Sequence, residues 1–278
     1  MIPPIARRFV AGETEAEALA HARDLDERGV GTILNLLGEH YADREPADAD
    51  AETYCQLIDD IADEGVRACI SIKPSQVGLD LGEDVFGENA ERIADRAAEQ
   101  GVFCWIDMED HTTTDVTLNV YERLAEKHGG GVGVCVQANL RRTREDVERL
   151  ADLPGKVRFV KGAYSEPASV AYTDKARVNE AYRELLRYAF EHFDDGLAVG
   201  SHDPEMIDLA RELHDEHGTP FEVQMLMGVR EDAQFELAEE YEVWQYVPYG
   251  GRWASYFYRR LLERKENLLF GLRAVIGR

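Results

Sequence analysis

The chain has 278 residues, of which 55 are Asp or Glu and 31 are Lys or Arg, giving a formal net charge of −24 and a pI of about 4.7. So acidic a surface argues against nucleic acid as a partner and against electrostatic attraction to anionic lipid. No stretch approaches the roughly 20 apolar residues of a membrane span, and the N-terminus lacks the apolar segment of a secretory signal, so we expect a soluble cytoplasmic protein.

Only six of the 31 basic residues are lysines. The acidic residues are spread over predicted helices and loops and do not form a tail. Acid-rich, lysine-poor surfaces resemble those of salt-loving archaea, in which dissolved salt screens the repulsion between surface charges. The composition therefore predicts a halophilic protein whose stability rises with salt.

Eight short apolar runs follow one another along the chain, and charged amphipathic segments with helical period separate many of them, for example 13–29, 85–100, 174–193 and 203–217. Strands separated by helices need parallel crossovers. Eight such units in about 250 residues predict an α/β fold, a (β/α)8 TIM-type barrel. A doubly wound sheet stays open as the alternative, although no run is followed by a GxGxxG turn. The predicted strands are 32–37, 67–72, 102–108, 132–137, 157–160, 197–199, 221–226 and 242–247.

Residues 1–278 are expected to form a single domain, because no linker or low-complexity segment interrupts the alternation. After the eighth strand the pattern predicts a helix to about residue 265, lying over the barrel mouth. A final apolar piece, 268–276, is expected either to pack on the barrel or to contact a membrane or a partner. The four cysteines occur singly and are expected to be reduced.

Polar residues gather where the predicted strands end, which is the catalytic face of a barrel. No HxH pair occurs there, so we expect no metal site. Cations dominate the set, and such a site favours an anion: a phosphate, a carboxylate or a reduced flavin. Asp203, before Pro204, is predicted to cap a helix. The strand-end residues are Lys73, Asp107, Glu109, Gln137, Asn139, Arg158, Lys161, Tyr164, Ser201, His202, Asp203, Gln224, Met225 and Tyr246.

The segment after the eighth strand carries a second cationic group. Tyr256, Arg259, Arg260 and Glu263 are spaced i, i+3, i+4 and i+7, which places them on one face of the predicted helix. Two adjacent guanidinium groups suit a planar carboxylate, because each can form paired hydrogen bonds with its oxygens.

The successive strings SIKPS, WIDMED, VQAN, VRFVKGAY, GSHD, VQMLMG and YVPYGGRWASYFYRRLLER resemble the proline dehydrogenase family over roughly residues 33–270. VKGAY together with YxxRRLxE is the specific part of this signal. The resemblance implies a (β/α)8 barrel that holds FAD, oxidises L-proline to Δ1-pyrroline-5-carboxylate and passes electrons to a membrane quinone. It also implies possible peripheral contact with the inner face of the membrane.

Residue by residue, the resemblance implies roles for the strand-end and helix residues. Arg259 and Arg260, joined by Lys73, would bind the proline carboxylate, with Glu263 steadying the arginines. The aromatic neighbours of the ring would be Tyr246 and Tyr256, and Asp107 and Arg158 would be catalytic. The residues implied to contact the cofactor are Met108, Gln137, Arg158, Lys161, Gly162, Ala163, Ser201 and His202.

The chain departs from the family pattern in three places. Ser201 stands where Thr is usual, Asp203 stands where Asn is common, and the region before the first strand is short. Three other functions stay open from the residues: a flavin dehydrogenase for hydroxyproline or another cyclic or N-alkyl amino acid, an aldolase-like barrel with Lys73 or Lys161 as a Schiff-base lysine, and a non-catalytic anion-binding barrel.

Overall fold

The computed structural model describes residues 2–3, 6–254 and 257. The predicted site residues Tyr256, Arg259, Arg260 and Glu263 lie outside these residues. So do most of the predicted final helix and the apolar piece 268–276.

Eight parallel strands close into a barrel in chain order, with the eighth paired to the first. This confirms the predicted α/β barrel and rules out the doubly wound sheet, since an open sheet has no such pairing. The strands are β1 (Gly31–Leu36), β2 (Ala68–Ile72), β3 (Cys104–Ile106), β4 (Val132–Gln137), β5 (Lys156–Val160), β6 (Leu197–Gly200), β7 (Phe221–Leu226) and β8 (Glu242–Tyr249).

Helices surround the barrel, and most connect one strand to the next. Several end at a glycine with positive φ, such as Gly65 and Gly101, a conformation that costs glycine little and stops the helix. The helices of the described residues are α1 (Glu15–Asp26), α2 (Arg44–Glu64), α3 (Glu83–Gln100), α4 (Thr114–His128), α5 (Thr143–Leu150), α6 (Lys175–His192), α7 (Pro204–His217) and α8 (Glu231–Ala238).

The main core lies between the outer faces of the strands and the inner faces of the helices. A smaller cluster fills the barrel interior, where Ile33, Cys69, Trp105 and Ala198 are almost fully buried. The cysteines are free thiols, as predicted, and Cys69, Cys104 and Cys135 are buried. No helix in residues 6–254 is long and apolar enough to cross a bilayer.

Residues 6–12 lie beside the C-terminal ends of β1 and β8. The backbone N–H of Ala11 donates to the carbonyl of Pro248, and the N–H of Gly250 donates to the carbonyl of Gly12, both at 2.9 Å. The Phe9 ring lies 6.1 Å from the Phe257 ring. The short N-terminal segment therefore covers part of the barrel rim.

Candidate active site

A cavity of about 890 Å³ opens at the C-terminal ends of the strands. Every predicted site residue that the structure describes lines it. These are Lys73, Asp107, Met108, Gln137, Arg158, Lys161, Gly162, Ala163, Ser201, His202 and Tyr246. Because they come from six different strands or strand ends, only barrel closure brings them together.

Asp107 is the centre of a hydrogen-bond network in the cavity wall. It follows β3, and its side chain is 14% exposed. Its Oδ1 accepts hydrogen bonds from Arg158 Nη1 at 2.8 Å and from Ser71 Oγ at 2.7 Å, while Oδ2 accepts one from the Tyr246 hydroxyl at 2.6 Å. The carboxylate is therefore held in one orientation by three donors from β2, β5 and β8.

Arg158, on β5, is a buried cation that contributes to the cavity lining. Its guanidinium lies 4.5 Å from the Trp105 ring centre and 5.6 Å from the Tyr246 ring centre. Burial alone would lower the pKa of Arg158, but the charge and hydrogen bond of Asp107, together with Cys135 and Tyr246, raise the pKa overall. The cavity wall thus contains a permanent positive charge, and Arg158 Nε has no hydrogen-bond partner among the described residues.

Tyr246 contributes an aromatic ring and a neutral hydroxyl. Burial raises its pKa well above that of an exposed tyrosine, and the neighbouring charge of Asp107 raises it further. The phenol therefore stays protonated near neutral pH and acts as a donor to Asp107.

Lys161 and Asp203 form an ion pair on the β5–β6 side of the cavity. Lys161 Nζ lies 2.6 Å from Asp203 Oδ2 and 2.7 Å from Asn179 Oδ1. Asp203 also accepts from the backbone N–H of Glu205, which confirms its predicted role as the α7 N-cap. Asp203, the N-cap residue of α7, therefore also holds the Lys161 side chain in place.

The backbone at Gly162 and Ala163 forms another part of the wall. Gly162 has φ +109°, and a Cβ there would come within 2.2 Å of Asn139 Oδ1. The Ala163 N–H donates to Gln137 Oε1 at 3.4 Å, while Gln137 Nε2 donates to the carbonyl of Glu109 at 2.7 Å. Glycine is therefore required where the β5 loop passes against Asn139.

Glu109 follows β3 and Asn139 follows β4, as predicted, but neither is among the residues that line the cavity. Both Glu109 oxygens accept hydrogen bonds from Ser75, one from the backbone N–H and one from the hydroxyl, each at 2.7 Å. Glu109 thus braces the loop after β2 against the loop after β3, and burial raises its pKa.

Lys73, Ser201 and His202 lie at the cavity with distinct local partners. Lys73 Nζ is 3.4 Å from Glu39 Oε2. The Ser201 hydroxyl accepts from the backbone N–H of Asp203, so the hydroxyl kept at this position stabilises the turn into α7. The Leu226 N–H donates to His202 Nε2 at 3.3 Å.

Ser71 and Lys175 are among the residues of the site that were not singled out from the sequence. Ser71, inside β2, contacts both Asp107 and Arg158 but looks in the sequence like an ordinary strand serine. Lys175 lines the cavity from the first turn of α6. The one feature of the sequence that points to Lys175 is that lysine is rare in this chain.

The cavity fits the dinucleotide cofactor that the resemblance implies. Its volume lies within the roughly 300–1,000 Å³ of ligand pockets. Among the residues that the structure describes, four cationic side chains line it, Lys73, Arg158, Lys161 and Lys175, together with the carboxylates of Asp107 and Asp203. Gly200 packs closely against β5: a Cβ at this position would come within 2.8 Å of a Val160 methyl and 3.3 Å of Arg158 Cγ. The absence of a side chain at Gly200 therefore leaves room for the Arg158 side chain.

The donor set is not that of a metal site. In the described part of the chain, no group of three His, Cys, Asp or Glu side chains is arranged to hold a metal ion. The backbone N–H of His111 donates to Glu166 at 2.9 Å, and the His111 ring also contacts the Glu166 carboxylate. This contact joins the β3 loop to the β5 loop.

Comparison with known proteins shows which family this sequence matches. The family model for proline dehydrogenase matches residues 18–271. Proline dehydrogenase of Deinococcus radiodurans is 40% identical over 282 residues, covering 98% of this chain and 90% of the relative. Proline dehydrogenase 1 of Bacillus subtilis is 36% identical over 275 residues, with the same two coverages.

Solved structures share the fold. Proline utilization A from Bdellovibrio bacteriovorus, inactivated by N-propargylglycine, superposes with a TM-score of 0.85 at 23% identity. The match covers 93% of this chain but 32% of that larger protein, so it shows the likeness of the barrels alone. Together with the family match and the two close relatives, the sequence and fold lead to one assignment: the chain belongs to the proline dehydrogenase family.

Proposed function

We propose that the protein oxidises L-proline to Δ1-pyrroline-5-carboxylate by hydride transfer to FAD and passes the electrons to a quinone. The observation that carries this proposal is the buried Arg158–Asp107 pair in the cavity wall. It gives the cavity wall a fixed cation, and such a cation would stabilise a flavin that gains negative charge on reduction. The family assignment supports proline as the substrate.

FAD would be held by the residues that the resemblance assigns to it and that line the cavity. The cations Arg158 and Lys161 and the backbone at Gly162 and Ala163 suit an anionic dinucleotide. Gln137, Met108, Ser201 and His202 would complete its contacts. When bound, FAD supplies the two-electron acceptor, and the protein supplies position and charge.

Proline would be bound through its carboxylate by Arg259 and Arg260, with Lys73 as the third cation and Glu263 steadying the pair. Lys73 lies at the cavity, whereas the other three residues lie outside the described part of the chain. Tyr246 and Tyr256 would enclose the apolar ring. Fixing the carboxylate would orient the ring relative to the cofactor, which is the main contribution of binding to such a reaction.

Three wider features belong to the same proposal. The chain would be a single domain spanning residues 1–278. It would work in the cytoplasm, with peripheral contact at the inner face of the membrane, where a quinone acceptor is reached. Its acidic surface, with a net charge of −24, would make it halophilic.

The aldolase-like alternative gains no support from the site. Lys161 is 2.6 Å from a carboxylate oxygen of Asp203, and Lys73 is 3.4 Å from one of Glu39. An ammonium group in an ion pair is not a nucleophile, whereas a Schiff-base lysine must be neutral when it reacts.

Steady-state turnover with an artificial acceptor tests the substrate assignment. L-proline and trans-4-hydroxy-L-proline are compared at equal concentrations, and the product is identified by mass. We expect a higher kcat/KM for L-proline and a product that has lost two hydrogen atoms. A higher kcat/KM for hydroxyproline would instead establish the related dehydrogenase.

A further inference from the structure

Ser71 lies at a fixed point inside the barrel. The residue is fully buried on β2. Its carbonyl oxygen accepts hydrogen bonds from Asn35 Nδ2 and from the Tyr54 hydroxyl, each at 2.9 Å. Because two hydrogen bonds hold the Ser71 backbone in place, the point from which the hydroxyl extends is fixed.

The Ser71 hydroxyl joins both members of the buried ion pair. It donates to Asp107 Oδ1 at 2.7 Å and accepts from Arg158 Nη2 at 3.4 Å, while Arg158 Nη1 donates to the same Asp107 oxygen at 2.8 Å. The three groups form a closed ring. Serine suits this place because a hydroxyl is a donor and an acceptor at once.

A guanidinium attached to a carboxylate through one nitrogen can rotate about that contact. The second contact, from Nη2 to Ser71 at 3.4 Å, restricts this rotation. Removing the hydroxyl would also take one of the two donors from Asp107 Oδ1. Hydrogen bonds to charged groups are stronger than those between neutral groups, so the loss is large enough to measure.

We propose that Ser71 is a positioning residue of the active site, which orients the Arg158 guanidinium toward the bound flavin through the Ser71–Asp107–Arg158 ring. This inference rests on the proposed function, in which Arg158 faces the cofactor. Nothing in the sequence resemblance assigned Ser71 a role.

The test compares two substitutions with a matched control. Ser71→Ala removes the hydroxyl, and Ser71→Cys removes the strong hydrogen bonds while nearly keeping the side-chain volume. The control is Thr32→Val, which deletes a fully buried strand hydroxyl on β1 that has no hydrogen-bond partner within the described residues. Flavin content, thermal unfolding, the KM for proline, the rate of flavin reduction by proline and the midpoint potential of the bound flavin are measured for each.

Both Ser71 variants are expected to retain flavin and a KM close to that of the wild type. The rate of flavin reduction should fall by about ten- to a hundredfold, which corresponds to one or two hydrogen bonds to a charged group. The midpoint potential should become more negative, since a less ordered Arg158 stabilises the reduced ring less. Thr32→Val should match the wild type in all of these measurements.

Two results would overturn the role of Ser71. Reduction rates and potentials equal to those of Thr32→Val would show that the hydroxyl does not act on the flavin. Loss of folding in both Ser71 variants, with Thr32→Val intact, would assign Ser71 to stability alone. If instead the wild type itself binds no flavin, the proposed function fails, and this outcome is distinct from the other two.

Discussion

Arg158 Nη1 lies 2.8 Å from Asp107 Oδ1, and this ion pair spans the barrel interior from β5 to the end of β3. The Arg158 side chain is 6% exposed. A charge so far from water is costly unless it is paired and hydrogen-bonded. Ser71 and Tyr246 also donate hydrogen bonds to Asp107, so the barrel holds the Arg158 cation in the cavity wall beside a hydrogen-bonded carboxylate.

Arg158→Ala should separate the role of this cation from that of ordinary surface arginines. We expect the purified variant to hold less flavin, or to have its flavin reduced more slowly by proline, because the positive charge beside the ring is lost. Arg149→Ala, which breaks an exposed ion pair with Glu122 between α5 and α4, is the control and should behave like the wild type. Flavin content and reduction kinetics equal to those of the control would show that Arg158 does not face the cofactor.

Arg259→Met should raise the KM for proline by about ten- to a hundredfold, the equivalent of one charge-assisted contact to the carboxylate. The flavin content should be unchanged, because the substitution removes a substrate contact and not a cofactor contact. Steady-state kinetics with proline and the visible spectrum of the variant check both parts. An unchanged KM would remove Arg259 from the carboxylate site.

Gly162→Ala tests the wall formed by the β5 loop. An added Cβ would come within 2.2 Å of Asn139 Oδ1, so the loop or Asn139 must move and flavin content should fall. Gly218→Ala is a matched control, because Gly218 also has positive φ, +77°, but a Cβ there would meet nothing within 4 Å. Both variants should lose about 1–2 kcal/mol of unfolding free energy from the left-handed backbone.

Equal flavin content in the Gly162 and Gly218 variants would contradict the placement of this loop at the cofactor. A parallel loss of stability in both would not, because backbone strain is common to the two.

Glu109→Gln should change how stability depends on pH. Burial raises the folded-state pKa of Glu109, so between about pH 4.5, where an unfolded glutamate titrates, and the raised value, the folded state holds the proton and the unfolded state does not. The wild type therefore loses stability as pH rises through this window. The variant lacks this titration, so its unfolding free energy relative to the wild type should increase with pH and then level off.

Chemical denaturation at several pH values measures this difference. The Ser75→Ala variant gives an independent check, because it removes one donor to the ionised carboxylate, raises the pKa of Glu109 further and should extend the loss of stability to higher pH. A constant difference between wild type and Glu109→Gln from acid to neutral pH would be the contradictory result.

Salt should stabilise the protein. With a net charge of −24, like-charge repulsion opposes the compact state, and at 1 M salt the screening length falls to about 3 Å. We expect the unfolding temperature to rise as potassium chloride increases from low to molar concentration. An unfolding temperature that stays flat or falls would show that the acidic surface is not a halophilic adaptation.

The barrel could be predicted because each apolar run that marks a strand is visible within a short stretch of sequence. The predicted ends of the strands were less accurate than their number and order. β3 stops at Ile106 instead of Met108, which leaves Asp107 in the loop, free to meet Arg158. β8 continues past Pro248 to Tyr249, because both residues pair with β1 and the Pro248 carbonyl also accepts from the Ala11 N–H.

Among the site residues, the charged and aromatic ones at strand ends were found, whereas Ser71 inside a strand and Lys175 on a helix were missed. Lys73, Arg158 and His202 stand out at strand ends, and the resemblance added Gly162 and Ala163. Ser71 could not be found in this way, since its importance comes from contacts with residues 36 and 87 positions away. Such contacts exist only once the barrel has closed.

The measurement that most directly tests the proposed function is the visible absorption spectrum of the purified protein, recorded without oxygen before and after the addition of L-proline. The account predicts a yellow protein with a flavin band that bleaches with proline and recovers when a quinone is added. A protein that stays colourless after reconstitution with FAD, or a flavin band that proline leaves unchanged, would contradict it.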